Sequence, residues 1–84
     1  MNVLYTARFL RSYTKLPLDI QSDIANAIEL FTKNPKDLKL KLHKLKGKLK
    51  PYHSFSANYS HRIILKIEKG VAYCMDVGGH SIYE

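Results

Sequence analysis

The chain has 84 residues, 45% of them apolar, with four glycines and three prolines. That composition excludes a disordered segment and leaves room for one small core, not for a cofactor domain plus a substrate domain. The 14 Lys and Arg against 7 Asp and Glu give a net charge of +7, which favours a polyanionic partner: nucleic acid, an anionic membrane or an acidic protein.

The expected first element is "NVLY", short and β-prone. From Thr6 the pattern turns helical, with Phe9, Leu10, Tyr13 and Leu16 at helical spacing and Arg8, Arg11 and Lys15 on other sides. The first twenty residues hold four charges and no uninterrupted apolar run, so neither a signal peptide nor a membrane span is expected. Pro17 ends this helix or opens the next. Ile20, Ile24, Ala27, Ile28 and Phe31 then give the clearest periodicity in the chain, ended by Asn34-Pro35. Beyond Pro51 the chain favours strands. In "YHSFSANY", Phe55 and Ala57 alternate with Ser54 and Ser56, and "RIILKIE" and "VAYCMDV" flank a hairpin turn at Lys69-Gly70. The single cysteine, Cys74, cannot form an internal disulfide and reads as part of a buried strand, which points to a reducing, cytoplasmic setting. The expected fold is α+β, a single domain over residues 1–84 with the order β-α-α-β-β-β, two helices packed on a largely antiparallel sheet.

Between the helices and the strands lies "KLKLHKLKGKLK", residues 39–50, with six lysines and one histidine in twelve positions. A charge run is most often a solvated face. Here Leu38, Leu40, Leu42, Leu45 and Leu49 alternate with the lysines and are expected to anchor the segment, holding the cations outward as a fixed phosphate-binding surface. Gly47 allows a turn within it. A membrane-surface helix is disfavoured, because period-two alternation would spread charge all round it. His43, His53, His61 and His80 have neither short ligand spacing nor thiolate partners, so no metal site and no cofactor are expected.

With "LHKLKGKLKPY", "HRIILKI" and "DVGGHSIY" in this order, the chain resembles the RelE/ParE superfamily of toxins over its whole length. Within it, the chain looks most like the ribosome-dependent messenger-RNA endonucleases of the YafQ type. The resemblance implies a toxin of a type II toxin–antitoxin system, a RelE-like fold, an acidic cognate antitoxin, assembly with it as a hetero-oligomer, and messenger RNA on the ribosome as substrate. Position by position, His43 and His80 match the two functional histidines, Tyr83 the terminal aromatic, and Arg62 an arginine of the RelE branch. Ser56 stands where the YafQ type has a further histidine, and the family's acidic position falls on Ser60 or His61.

The implied reaction is attack of the RNA's own 2′-hydroxyl on the adjacent phosphate. Histidine suits the proton transfers because its ordinary pKa, about 6.5, lies near working pH, and arginine's fork suits the phosphate. His80 and His43 are expected to act as acid and base, Arg62 to hold the scissile phosphate, Tyr83 to stack on a base or orient the attack, and His61 to stand in for the missing carboxylate. Lys44, Lys46, Lys48 and Lys50 would hold flanking phosphates. Each residue has a plainer alternative. His80 ends a strand, Arg62 pairs with Glu68 or Asp76, Tyr83 closes the core, and His43 is a solvated member of the strip. His53 reads as a packed or rim residue, and Tyr5, Tyr13, Tyr52, Tyr59 and Tyr73 as core or sheet packing. Two other functions remain open at this point: a gyrase-binding toxin of the ParE kind, and an RNA-binding module without catalysis.

Overall fold

The computed structural model describes residues 1–79. β1 (Asn2–Tyr5) leads into α1 (Ala7–Thr14) and α2 (Leu18–Lys33). After an irregular segment come β2 (His43–Lys44), a 3₁₀ turn (Gly47–Leu49), β3 (His53–Ser56), β4 (Arg62–Glu68) and β5 (Val71–Gly78). The strands form one sheet in the order β1-β5-β4-β3-β2, antiparallel throughout except that β1 runs parallel to β5. The expected α+β order of elements is present, with β2 as an added edge strand. No helix among the described residues is long and apolar enough to cross a membrane.

Local chemistry explains the boundaries. Thr6 caps α1 by accepting from Phe9 N at 3.1 Å, and its hydroxyl donates to Cys74 O at 2.9 Å, so one side chain starts the helix and ties it to β5. Pro17 is the N-cap of α2, and Asn34 its C-cap. The β4–β5 hairpin turns through Lys69 and Gly70, whose φ values of 50° and 81° form the left-handed pair that a two-residue hairpin requires.

The apolar stripe of α2 (Ile24, Ala27, Ile28 and Phe31) packs with Phe9 of α1 onto Phe55, Ile63, Leu65, Ala72, Cys74 and Val77 of the sheet. The rings of Phe31 and Phe55 stack at 4.8 Å. Burying each such side chain contributes roughly 1.5–3 kcal/mol. Burial pushes the Cys74 thiol up to about 12, so it stays protonated and serves as a small apolar group.

Two packing expectations are corrected. Leu38 does not anchor the strip: it is 90% exposed, because residues 37–41 form turns, closed by Leu40 N donating to Asp37 O and Lys41 N to Leu38 O, instead of an alternating strand. The anchor is Leu40, fully buried, whose carbonyl accepts from Ser56 N at 2.7 Å. Leu42, Leu45 and Leu49 are half-buried, and the six lysines of the strip all point to water. Nor is Tyr59 a packing residue, since it lies in the turn after β3 and is 96% exposed.

Candidate functional site

Arg62 opens β4 opposite Ser56 of β3. The turn between those strands is organised by Asn58. Its Nδ2 donates to Asp23 Oδ2 of α2 at 3.0 Å, and its Oδ1 accepts from Ser60 N (2.9 Å) and His61 N (2.8 Å). Asn58 Oδ1 also lies 3.1 Å from His61 Nδ1. With its amide nitrogen committed to a carboxylate, Asn58 presents only an acceptor to that ring, so His61 carries its proton on Nδ1 and a lone pair on Nε2 when neutral.

The same turn holds the arginine. Arg62 Nη1 donates towards the carbonyls of Asn58 (2.9 Å), His61 (3.1 Å) and Tyr59 (3.3 Å). Among the described residues its contacts all run through that one nitrogen, which leaves Nε and Nη2 for a ligand. Neither pairing weighed for Arg62 is made. Asp76 instead accepts from Arg8 Nε at 3.1 Å and from Ser12 Oγ at 2.6 Å, and Glu68 pairs with Lys66 at 2.9 Å. Arg62, Lys39, Lys41, Ser56, Asn58 and Tyr59 line a cleft of about 420 Å³ with no carboxylate in its wall among the described residues. Three cations around an open space make a site for phosphate oxygens.

His43 occupies a second cleft of about 540 Å³, lined by Lys36, Lys41, Lys44 and His53 among others. Its Nδ1 lies 2.9 Å from Lys41 O. A carbonyl accepts only, so Nδ1 carries the proton and Nε2 a lone pair when the ring is neutral. By register, His43 pairs with Ser54, and Ser56 with Arg62. His43 and Arg62 therefore belong to the same face of the sheet, yet they sit in two neighbouring clefts that meet at Lys41. Lys41 itself has φ 52° outside any hairpin, a strained conformation for a lysine.

His53 was not a candidate on sequence, but it lines the cleft of His43. Its Nδ1 is buried without a hydrogen-bond partner among the described residues. Burial first, then the charges of Lys44 and His43, hold its pKa below the ordinary histidine value, so it resists protonation. Neither an orphan nitrogen nor a depressed pKa has a signature in the one-letter code. Among the cationic residues expected to hold phosphates, Lys44 lines the His43 cleft, whereas Lys46, Lys48 and Lys50 lie exposed around the 3₁₀ turn. Lys39 and Lys41, expected only as members of the cationic strip, line the Arg62 cleft. His80 and Tyr83 lie outside the described residues. Among those described, no group of three or more His, Cys, Asp or Glu side chains is arranged to hold a metal ion.

No protein-family model matches the sequence, and no curated protein resembles it significantly. Solved structures do. YafQ from E. coli strain BL21(DE3) superposes with a TM-score of 0.79 at 17% identity, over 98% of this chain and 96% of that one. A YoeB/ParE toxin from Agrobacterium tumefaciens gives 0.77 at 18% identity, over 95% and 99%. A chain of the E. coli DinJ-YafQ toxin-antitoxin complex gives 0.75 at 17%, over 96% and 93%. At such identities it is the architecture that is shared: with two helices on a five-stranded mixed sheet, this chain has the RelE/YafQ-type toxin fold.

Proposed function

We propose that the chain is the toxin of a type II toxin–antitoxin system, an endoribonuclease that cuts messenger RNA on the ribosome. The observation that carries this reading is the Arg62 cleft, where a guanidinium braced by three carbonyls stands with two lysines in a wall that has no carboxylate among the described residues, on the fold of YafQ and YoeB. Such a cleft suits a phosphodiester more than an amide or a sugar.

In the proposed reaction the 2′-oxygen of the message attacks the adjacent phosphorus and gives its proton to an imidazole. The bond from phosphorus to the 5′-oxygen breaks, and that oxygen takes a proton from a second imidazole, leaving a cyclic phosphate and a 5′-hydroxyl. His43 fits the proton-accepting role through the Nε2 lone pair that its bond to Lys41 O leaves outward. His80 is its counterpart, with His61 available through its own Nε2. Arg62 neutralises charge growing on the phosphate, and Tyr83 orients the attacking nucleotide. Lys44, Lys46, Lys48 and Lys50 guide the flanking backbone. The nucleophile is internal to the RNA and needs only proton transfer, so no metal enters the step. Alignment by the ribosome supplies much of the rate, and so modest a set of groups suffices. An acidic antitoxin covers the same cations and assembles with the toxin as a hetero-oligomer.

Primer extension on translated message tests the proposal. His80→Ala and His43→Ala should each lower cleavage roughly 10²–10⁴-fold, the usual worth of general acid–base groups. Naked RNA should be cut far more slowly than ribosome-bound RNA, and chelators should change nothing. Growth arrest that survives the double variant, in a chain that still folds, would replace the nuclease with a non-cutting toxin such as a gyrase binder.

A further inference from the structure

Tyr59 is a large aromatic ring left in water. A lone exposed aromatic needs no explanation, but three observations set this one apart. It lines the cleft of Lys39, Lys41 and Arg62. Its carbonyl accepts from Arg62 Nη1 at 3.3 Å, so ring and guanidinium are held within one short turn of chain. That turn is pinned by Asn58 to Asp23 of α2 and closed by Ala57 N donating to His61 O at 3.0 Å, so little backbone freedom remains to be lost on binding.

We propose that the Arg62 cleft is a nucleotide subsite: the Tyr59 ring stacks an unpaired base of single-stranded RNA while Arg62, Lys39 and Lys41 hold the adjoining phosphate. The chemistry of the three parts converges on this ligand. Cations alone would serve any polyanion. An aromatic face beside them serves a polyanion that carries flat rings one nucleotide apart. A duplex keeps its bases stacked on each other and offers no face to Tyr59. An acidic peptide would satisfy the cations and leave the ring unused. Because every base has a π-face, the subsite contributes affinity and position and little sequence preference. The choice of RNA rests on the nuclease reading above.

The chain contains no tryptophan, so Tyr59→Trp introduces a single fluorescent reporter at the site. Titration of Y59W with a short single-stranded oligoribonucleotide should quench its emission, and an abasic oligomer of equal length and charge should not. Tyr59→Ala should weaken binding of the same oligonucleotide by roughly 5- to 150-fold, the range that loss of one base–aromatic stack gives, whereas Tyr59→Phe should bind as the parent does. The subsite is overturned by any of four results: no measurable oligonucleotide binding by the parent, equal affinity of Y59A and parent, equal quenching by the abasic oligomer, or duplex RNA binding as tightly as the single strand. An acidic peptide weakened as much as RNA by Y59A would likewise overturn it and reassign the cleft to a protein partner. The assay needs no ribosome and no turnover. A chain that binds RNA through Tyr59 but cuts no translated message overturns the nuclease alone, and one that cuts message with Tyr59-independent binding overturns the subsite alone.

Discussion

The two clefts that meet at Lys41 are built in different ways. In the Arg62 cleft, paired strands β3 and β4 carry the walls, and Asn58 reaches both helix α2 and the turn that braces the guanidinium. The Asn58 turn and the Nη1 of Arg62 are tied to one another before any ligand arrives. In the His43 cleft, the strand is two residues long, and among the described residues His43 is exposed with a single bond to Lys41 O and His53 buries a nitrogen with no partner. The contrast teaches that the fold places its rigidity where a charge is held and leaves His43 at an adaptable edge. For the nuclease proposed above, that division is workable, since phosphate capture gains from rigidity and catalytic hydrogen bonds commonly tighten only once substrate is bound.

Removal of the rigid cation tests this contrast most severely. Arg62→Ala should reduce cleavage of translated message by about 10²–10³-fold, the usual cost of one donor to a developing anion, with the circular-dichroism spectrum unchanged. Arg62→Lys should recover only part of the rate, because an ammonium cannot brace against three carbonyls and still present a fork. Asn58→Ala should destabilise the protein by about 1–2 kcal/mol, lowering the melting temperature by roughly 4–16 °C in calorimetry for a domain of this size. An unchanged melting temperature would dissolve the distinction between the two clefts.

Lys41→Gly sharpens the comparison at the point where the clefts join. Glycine adopts positive φ without the cost of about 1 kcal/mol that lysine bears, so thermal stability should rise slightly. RNA affinity should fall, and the slope of log affinity against log salt should shrink by about 1. The smallest effect belongs to His53→Leu. The native pKa of His53 is lowered from 6.5, so in acid the unfolded chain takes up a proton that the folded chain refuses, and stability falls as pH drops below about 6.5. Denaturant titrations between pH 7.5 and pH 5, compared at the same salt, should show a shallower acid-side loss in the variant.

Sequence reading succeeded where a residue's role depends on its near neighbours. The stripe of α2 and the hairpin turn at Lys69-Gly70 each follow from a few adjacent residues. It failed where distant partners decide. Strand β2 exists only because His43 and Lys44 meet Ser54 and His53, a register that two residues cannot announce. Leu38 belongs to an apolar alternation, but Asp37 accepts from Lys39 N at 2.9 Å and helps bend the chain there. Tyr59 is an aromatic beside a strand, and residue type alone does not say which way a turn faces. The site was legible as residue types and only partly as geometry. Arg62 was singled out, but Asn58 and Asp23, which position it, carry no motif, and Lys39 and Lys41 were legible as part of the basic strip but not as sharers of its cleft. His53 was set aside as a rim residue although it shares the cleft of His43.

The parallel contact between β1 and β5 has a bearing on synthesis. Asn2 pairs with Val71 and Tyr5 with Cys74, and Arg62 stands opposite Gly78. On the ribosome, then, β1 waits without its partner until β5 has left the exit tunnel, and β4, already able to pair with β3, lacks its second neighbour for the same interval. The lining of the Arg62 cleft runs only from Lys39 to Arg62, so the surface that meets a ligand belongs to chain made before the strand that completes the sheet.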